Sequence, residues 1–108
     1  MTSSAEQNLA SLGITLPEAP SPAANYVPYI IVGDMVYVSG QVPFVNGGLQ
    51  VTGKVGDTVT IEQAAGEARI CAINLIAQLK AACGGDLSRV VQVVKLGGFV
   101  ACTADFTD

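Results

Sequence analysis

Apolar residues fall in short runs broken by turn residues through the first half of the chain, and then at a long helical period. Near the start, Ala5, Leu9 and Leu12 follow helical spacing. Ser3 or Ser4 supplies an N-cap, and Gly13 has the chemistry that ends the helix. Residues 14–25 hold Pro17, Pro20 and Pro22 among small residues and read as an extended arm leading into the domain. Residues 26–42 read as a hairpin, because Tyr26 to Val32 and Met35 to Val42 are rich in Val, Ile and Tyr. Gly33-Asp34 is the two-residue turn between them, with glycine supplying the positive φ. Pro28 puts the first strand at an edge or makes it start later, and Pro43 stops the second. Residues 44–59 read as a loop region around Asn46-Gly47-Gly48, Gly53 and Gly56, with a short strand at Leu49–Thr52.

The strongest helix signal runs from Ile61 to Cys83. Thr60 and Gln63 form a capping box, and Gly84-Gly85 ends the helix. Ile61, Ala65, Ala68, Ala72, Leu75, Leu79 and Ala82 share one stripe, which is predicted to lie close against a sheet. Glu62, Arg69 and Lys80 fall on the opposite side. Asp86-Leu87-Ser88 turns the chain. Val90 to Cys102 then reads as a long apolar strand, buried on at least one face, with Gly97-Gly98 as a bulge or close-approach point. The order is strand, strand, helix, strand. Residues 1–22 form a short helix and Pro-rich arm, and residues 23–108 form one domain.

Composition narrows the functional classes. Of 108 residues, 50% are hydrophobic and only 13% are charged, about half the usual ~25%. That excludes a disordered chain. So little charge leaves apolar patches on a small monomer, and such patches mark interfaces, so an oligomer is expected. Net charge is −4, and the five Lys and Arg residues are dispersed. This argues against binding a phosphate backbone. There is no His, which removes His-based acid/base pairs, catalytic triads and His-ligated zinc. The three cysteines, Cys71, Cys83 and Cys102, have neither disulfide-framework nor zinc spacing. With no leader-like start and no membrane-spanning apolar run, a soluble cytoplasmic protein with reduced thiols is expected.

A few residues could carry chemistry. Ser39 offers a hydroxyl beside Gly40, which lets a ligand approach the backbone; the pattern alone favours a strand-end serine beside a bulge glycine. No G-x-S-x-G elbow surrounds Ser39 and no His activates it, so serine hydrolase chemistry is excluded. Tyr26 stands at the mouth of the first strand, as a half-buried packing residue or as a ligand-facing hydroxyl. Lys95 lies in an apolar strand. It is a functional candidate if it points inward, and otherwise a snorkelling edge residue. Cys71 and Cys83 read as helix packing residues, Cys102 as an inert thiol, and Glu62 and Glu67 as members of a solvated face.

The stretch Gly33-Asp34-Met35-Val36-Tyr37-Val38-Ser39-Gly40-Gln41-Val42-Pro43 closely resembles the RidA family, also called YjgF and formerly endoribonuclease L-PSP. Three further segments match in order: Gly53-Lys54-Val55, Asn74-Leu75 within the helix, and Asp86-Leu87-Ser88-Arg89-Val90-Val91 leading to Lys95, Phe99-Val100 and Asp105-Phe106. The resemblance covers about residue 23 onward, and the arm and the final residues look like a RidA-like subgroup.

It implies an α+β, chorismate mutase-like fold: a mixed sheet with helices packed on one face. It also implies a homotrimer with sites in the clefts between subunits. The implied activity is hydrolysis of reactive 2-imino and 2-enamino acids to 2-keto acids and ammonia, with no metal or organic cofactor. The alternative is a non-catalytic trimeric module that binds small carboxylic or keto acids. Tyr26 and Ser39 match the family's site Tyr and Ser, Gly40 matches the adjoining backbone position, and Lys95 is a substrate-binding candidate. The family's carboxylate-binding Arg and late Glu lie in motifs that these 108 residues do not contain, and neither Arg69 nor Arg89 stands in for that Arg. The expectation is a truncated version of a longer protein, or an inactive short form.

Overall fold

A computed structural model describes residues 4–21 and 24–108 of the chain. Ser3 and Pro22, singled out above, lie outside the described residues. Helix α1 spans Ser4–Ser11. Its end is a Schellman motif: Gly13 N–H donates to Ala10 O (3.0 Å) and Ile14 N–H to Leu9 O (2.9 Å), with Gly13 at φ 70°.

Strands β1 (Tyr29–Val32) and β2 (Met35–Val38) pair antiparallel with Val32 opposite Met35. The two-residue loop has Gly33 at φ 57°, as expected. β1 starts after Pro28, one of the two options read above. β2 stops at Val38, four residues before Val42, because the carbonyls beyond it bond to side chains instead of a ladder. Strands β3 (Phe44–Val45) and β4 (Gly48–Leu49) make a second antiparallel hairpin. Asn46 (φ 52°) and Gly47 (φ 78°) form its loop, the conformation of a type I′ turn. This hairpin replaces the strand expected at Leu49–Thr52.

Helix α2 runs Ile61–Ala82 with the expected capping box: Gln63 N–H donates to Thr60 Oγ1 (3.1 Å), and Thr60 N–H to Gln63 Oε1 (2.9 Å). α2 packs on β1, β2 and β3. The packed face differs from the apolar stripe. Ile61, Ala65, Ala68 and Ala72 are exposed, whereas Asn74, Ala77 and Gln78 are buried. The buried amides are satisfied by carbonyls, so polar residues occupy the inward face without loss. After α2 a 3-10 turn, Leu87–Arg89, buries Leu87, and Arg89 Nη1 donates to Cys83 O at the helix end (3.3 Å).

The long strand expected over Val90–Cys102 is not a strand. Residues 91–100 form no regular element and are exposed throughout, and no ladder joins them. A strand exists only where a second backbone takes its N–H and C=O groups, and none of the described residues runs alongside. Pairing resumes only at Cys102, which bridges Val55 in parallel; Val55 N–H donates to Ala101 O (2.9 Å) and Thr103 N–H to Val55 O (3.0 Å). Gly97-Gly98 is accordingly no close-approach point, since nothing lies within 4 Å of a Cβ at either residue. The fold class is α+β, but among the described residues the sheet is two separate antiparallel hairpins rather than one mixed sheet. The core is small: Val55, Val59, Ala77, Cys83 and Leu87. Accessible surface is 7860 Å², against roughly 5,600 Å² for a compact monomer of this mass. The radius of gyration is 15.2 Å, against about 13 Å.

Candidate functional site

The end of β2 and the approach to β1 bring three of the four candidate residues together. Ser39 N–H extends the β1–β2 pairing by one bond, donating to Pro28 O (2.9 Å). Its hydroxyl donates to Val27 O across 2.5 Å. Both donors of Ser39 therefore hold the segment before β1, and its Oγ lone pairs are left as acceptors. The Tyr26 hydroxyl reaches Gly40 O at 3.5 Å, the long limit for a hydrogen bond, where a ligand can compete for it. Gln41 Nε2 donates to Ser39 O (3.0 Å) and to Gly40 O (3.4 Å).

Gly40 is exposed, and nothing lies within 4 Å of the position a Cβ would take. Its backbone is thus open to a small molecule, as the sequence suggests. Among the described residues no acceptor meets the Gly40 or Gln41 N–H. The bend therefore carries the Ser39 hydroxyl and two backbone donors, and the Tyr26 hydroxyl reaches it at Gly40 O. The set can accept from an N–H group and donate to a carboxylate. It has no nucleophile, because the Ser39 proton is engaged with a backbone carbonyl and no His is present to take it.

Lys95 is not part of this group. It lies in the exposed segment 91–100, with no hydrogen bond or ion pair among the described residues. The inward strand position that would make it functional is not formed.

Sequence reasoning missed Gln41 and Asn74 as organisers of the bend. Asn74 is 2% exposed, and its Nδ2 donates to Val42 O and Phe44 O, both at 3.2 Å. Gln78, one turn along α2, donates to Pro20 O (2.6 Å). The signal was two amides at i and i+4 on one helix face.

Glu67 departs from the solvated face read above. Its Oε2 is buried without a partner. Burial, and next the Glu67 charge, push the Cys71 thiol above its ordinary range, so it stays protonated and inert at neutral pH. Cys83 is buried, Cys102 is exposed, and all three thiols are free. No group of three potential metal ligands occurs among the described residues, and no helix there is long and apolar enough to cross a membrane.

The fold has counterparts in known proteins. Residues 6–106 match the model of the family described as "YjgF/chorismate mutase-like, putative endoribonuclease". The chain is 45% identical over 101 residues to Protein TCP17 of Trypanosoma cruzi, covering 94% of this chain and 62% of that protein. It superposes with a TM-score of 0.82 on the crystal structure of Atu1372, a protein of unknown function from Agrobacterium tumefaciens, at 48% identity, covering 94% of this chain and 62% of the other. A crystal structure described as a "putative endoribonuclease" from Shewanella oneidensis MR-1 gives 0.72 at 42% identity, covering 78% and 55%. The chain thus spans less than two thirds of the length of each of these relatives. A family match over nearly its whole length, together with the shared α+β architecture, places this chain in the YjgF/chorismate mutase-like family.

Proposed function

We propose that this chain carries part of the site of a hydrolytic deaminase acting on small 2-imino and 2-enamino acids. The observation that carries the reading is the Ser39–Gly40 bend, with the Ser39 hydroxyl, the Tyr26 hydroxyl that reaches it and open backbone donors. An imine carbon is already electrophilic, so the site needs no nucleophile of its own. An enamine first takes a proton at C3 and gives one up from nitrogen, which turns it into the imine. Water then adds to the C=N bond: its oxygen bonds to C2 and a proton passes to nitrogen. The C–N bond then breaks, ammonia leaves, and the remaining hydroxyl loses its proton to give the 2-keto acid. Ser39 Oγ and Tyr26 Oη would accept from the substrate nitrogen or orient the water. The Gly40 and Gln41 N–H groups would hold the carboxylate. Positioning and fixed dipoles suffice for such a step. The assembly that fits this reading is a homotrimer with clefts between subunits, and the surface left open by the single chain supports association.

The test is ammonia release from freshly generated 2-aminoacrylate, compared with the spontaneous rate. We expect acceleration by the wild type and a fall of roughly 10–1,000-fold in Ser39→Ala and Tyr26→Phe. A wild-type rate no faster than the spontaneous one overturns the deaminase reading.

One observation favours the second reading, a non-catalytic module for small carboxylic or keto acids. The side chains of Ser39 and Gln41 bond only to backbone carbonyls, so no charged general base is coupled to them. A melting shift with pyruvate, without rate enhancement, would select that reading.

A further inference from the structure

The bend that carries Ser39 and Gly40 is held from a distance. The β1–β2 ladder ends with Ser39 N–H, and from Ser39 to Phe44 four carbonyls accept from side-chain amides. Gln41 Nε2 serves Ser39 O and Gly40 O from within the bend. Asn74 Nδ2 serves Val42 O and Phe44 O from the middle of α2, thirty-two and thirty residues away in sequence. The two bonds are equal at 3.2 Å, one for each amide proton. Pro43 lies between the two acceptors and has no N–H to offer a ladder. A neighbouring strand is thus replaced by one rigid planar group.

We propose that Asn74 is a positioning residue for the Ser39–Gly40 site. It fixes the carbonyls of Val42 and Phe44 to α2, and so sets where the bend two residues earlier lies relative to Tyr26. This rests on the function proposed above for that site, but the placement itself can be measured without it. The chemistry of the position is demanding. Aspartate has no proton to donate at neutral pH, serine has one, and leucine matches the volume with none. Asn74 is itself 2% exposed, so an apolar side chain there takes the donor away from Phe44 O, while Val42 O keeps its bond from Phe44 N–H (2.7 Å). A displacement of about 1 Å at a reacting group is enough to lower a rate on the order of 100-fold.

Gln78 supplies the control. It is equally buried, lies one turn along the same helix, and donates to Pro20 of the arm rather than to the bend. Gln78→Met should lose comparable stability and leave residues 39–44 in place.

The experiment compares Asn74→Leu, Asn74→Ser and Gln78→Met by melting temperature, by the amide ¹H–¹⁵N resonances of Gly40 and Gln41, and by kcat and KM for 2-aminoacrylate. We expect Asn74→Leu to move both resonances and lower kcat on the order of 10- to 100-fold. Asn74→Ser should recover part of each, and Gln78→Met should move neither at a similar melting temperature. If Asn74→Leu does not fold, Asn74→Ser alone should show the intermediate displacement. Unmoved Gly40 and Gln41 resonances in a folded Asn74 variant overturn the proposal, and so does an equal loss of kcat in Gln78→Met. A wild type that releases no ammonia refutes the deaminase reading by itself, and the resonances still decide the role of Asn74.

Discussion

Ser39 and Val27, twelve residues apart, are joined by a 2.5 Å hydrogen bond from the Ser39 hydroxyl to the Val27 carbonyl. With the Ser39 N–H on Pro28 O, this ties the end of β2 to the segment that follows Tyr26. The serine therefore has a structural task as well as the proposed chemical one, and the two separate on substitution. Ser39→Ala removes one side-chain bond, a loss of about 1 kcal/mol. Ser39→Thr keeps the hydroxyl. We expect Ser39→Ala to melt a few degrees lower and to lose ammonia release far beyond that, with Ser39→Thr recovering most of the stability. Calorimetry alongside the ammonia assay checks this, and a stable Ser39→Ala with full activity would reduce Ser39 to a strand-end residue.

Glycine-to-alanine changes should have opposite signs at two positions. Gly56 has φ 91°, and a Cβ there would sit 2.7 Å from Thr103 Oγ1. The contact lies where the loop around Val55 meets the chain at Cys102–Thr103. Gly56→Ala should cost on the order of 1–3 kcal/mol. Gly66 is in α2, exposed, with nothing within 4 Å of a Cβ. Gly66→Ala should stabilise by roughly 0.5–1 kcal/mol through helix propensity. Urea melts of the two variants measure both, and a stabilised Gly56→Ala would contradict the packing of that loop.

Local chemistry explains which parts of this structure the sequence made readable. The Thr60–Gln63 capping box, the Gly33-Asp34 turn and the Gly13 cap each need only residues within a few positions, and each forms as read. The Asn46-Gly47 hairpin carried a strong turn signal, but its flanking strands of two residues are too short for a periodic pattern. The inward face of α2 is not the apolar stripe, because alanines lie on more than one side of the helix and a stripe can be drawn on each. The inward face is marked by Asn74 and Gln78, whose acceptors lie thirty or more residues away. Residues 90–102 are apolar enough for a buried strand, but a strand is a relation to a second backbone, which pattern alone does not supply. At the site, the pairing of Tyr26 with Ser39-Gly40 came from family resemblance. The inclusion of Lys95 rested on the unformed strand.

Asp86 gives a pH-dependent element. Its Oδ1 accepts from Ser88 Oγ (2.6 Å) and from Ser88 N–H (3.0 Å), capping the turn that buries Leu87. The Ser88 hydroxyl bond, followed by the backbone bond, holds the Asp86 carboxyl below its ordinary range. A carboxyl with a depressed folded pKa contributes stability that is fully present above its unfolded pKa, about 3.9. That contribution is lost as pH falls through the lower folded value. Ser88→Ala should raise the Asp86 midpoint towards the ordinary value and lessen the acid sensitivity of the turn. A carbon-detected NMR titration of the Asp86 carboxyl follows the midpoint. No change in Ser88→Ala would show that the cap does not set it.

The exposed run 91–100 bears on how the 108-residue chain behaves in solution. Val91 is 96% and Phe99 102% exposed, with Val94, Leu96 and Val100 also open. The backbone between them has no ladder, so both its edges and its side chains are available to another chain. The accessible surface exceeds that of a compact monomer by roughly 2,200 Å². One interface of standard size covers about 800 Å² on each partner. A single such contact leaves most of the excess open, and two per chain cover the larger part of it. The only charge within the run is Lys95, placed where a lone cation opposes edge-to-edge stacking. We therefore expect the 108-residue chain to self-associate at micromolar concentration, Phe99→Ser to weaken that association, and Lys95→Ala to promote it. Multi-angle light scattering on the three proteins reads the outcome. A monodisperse wild-type monomer with a cooperative melt would show that the run finds cover within its own chain.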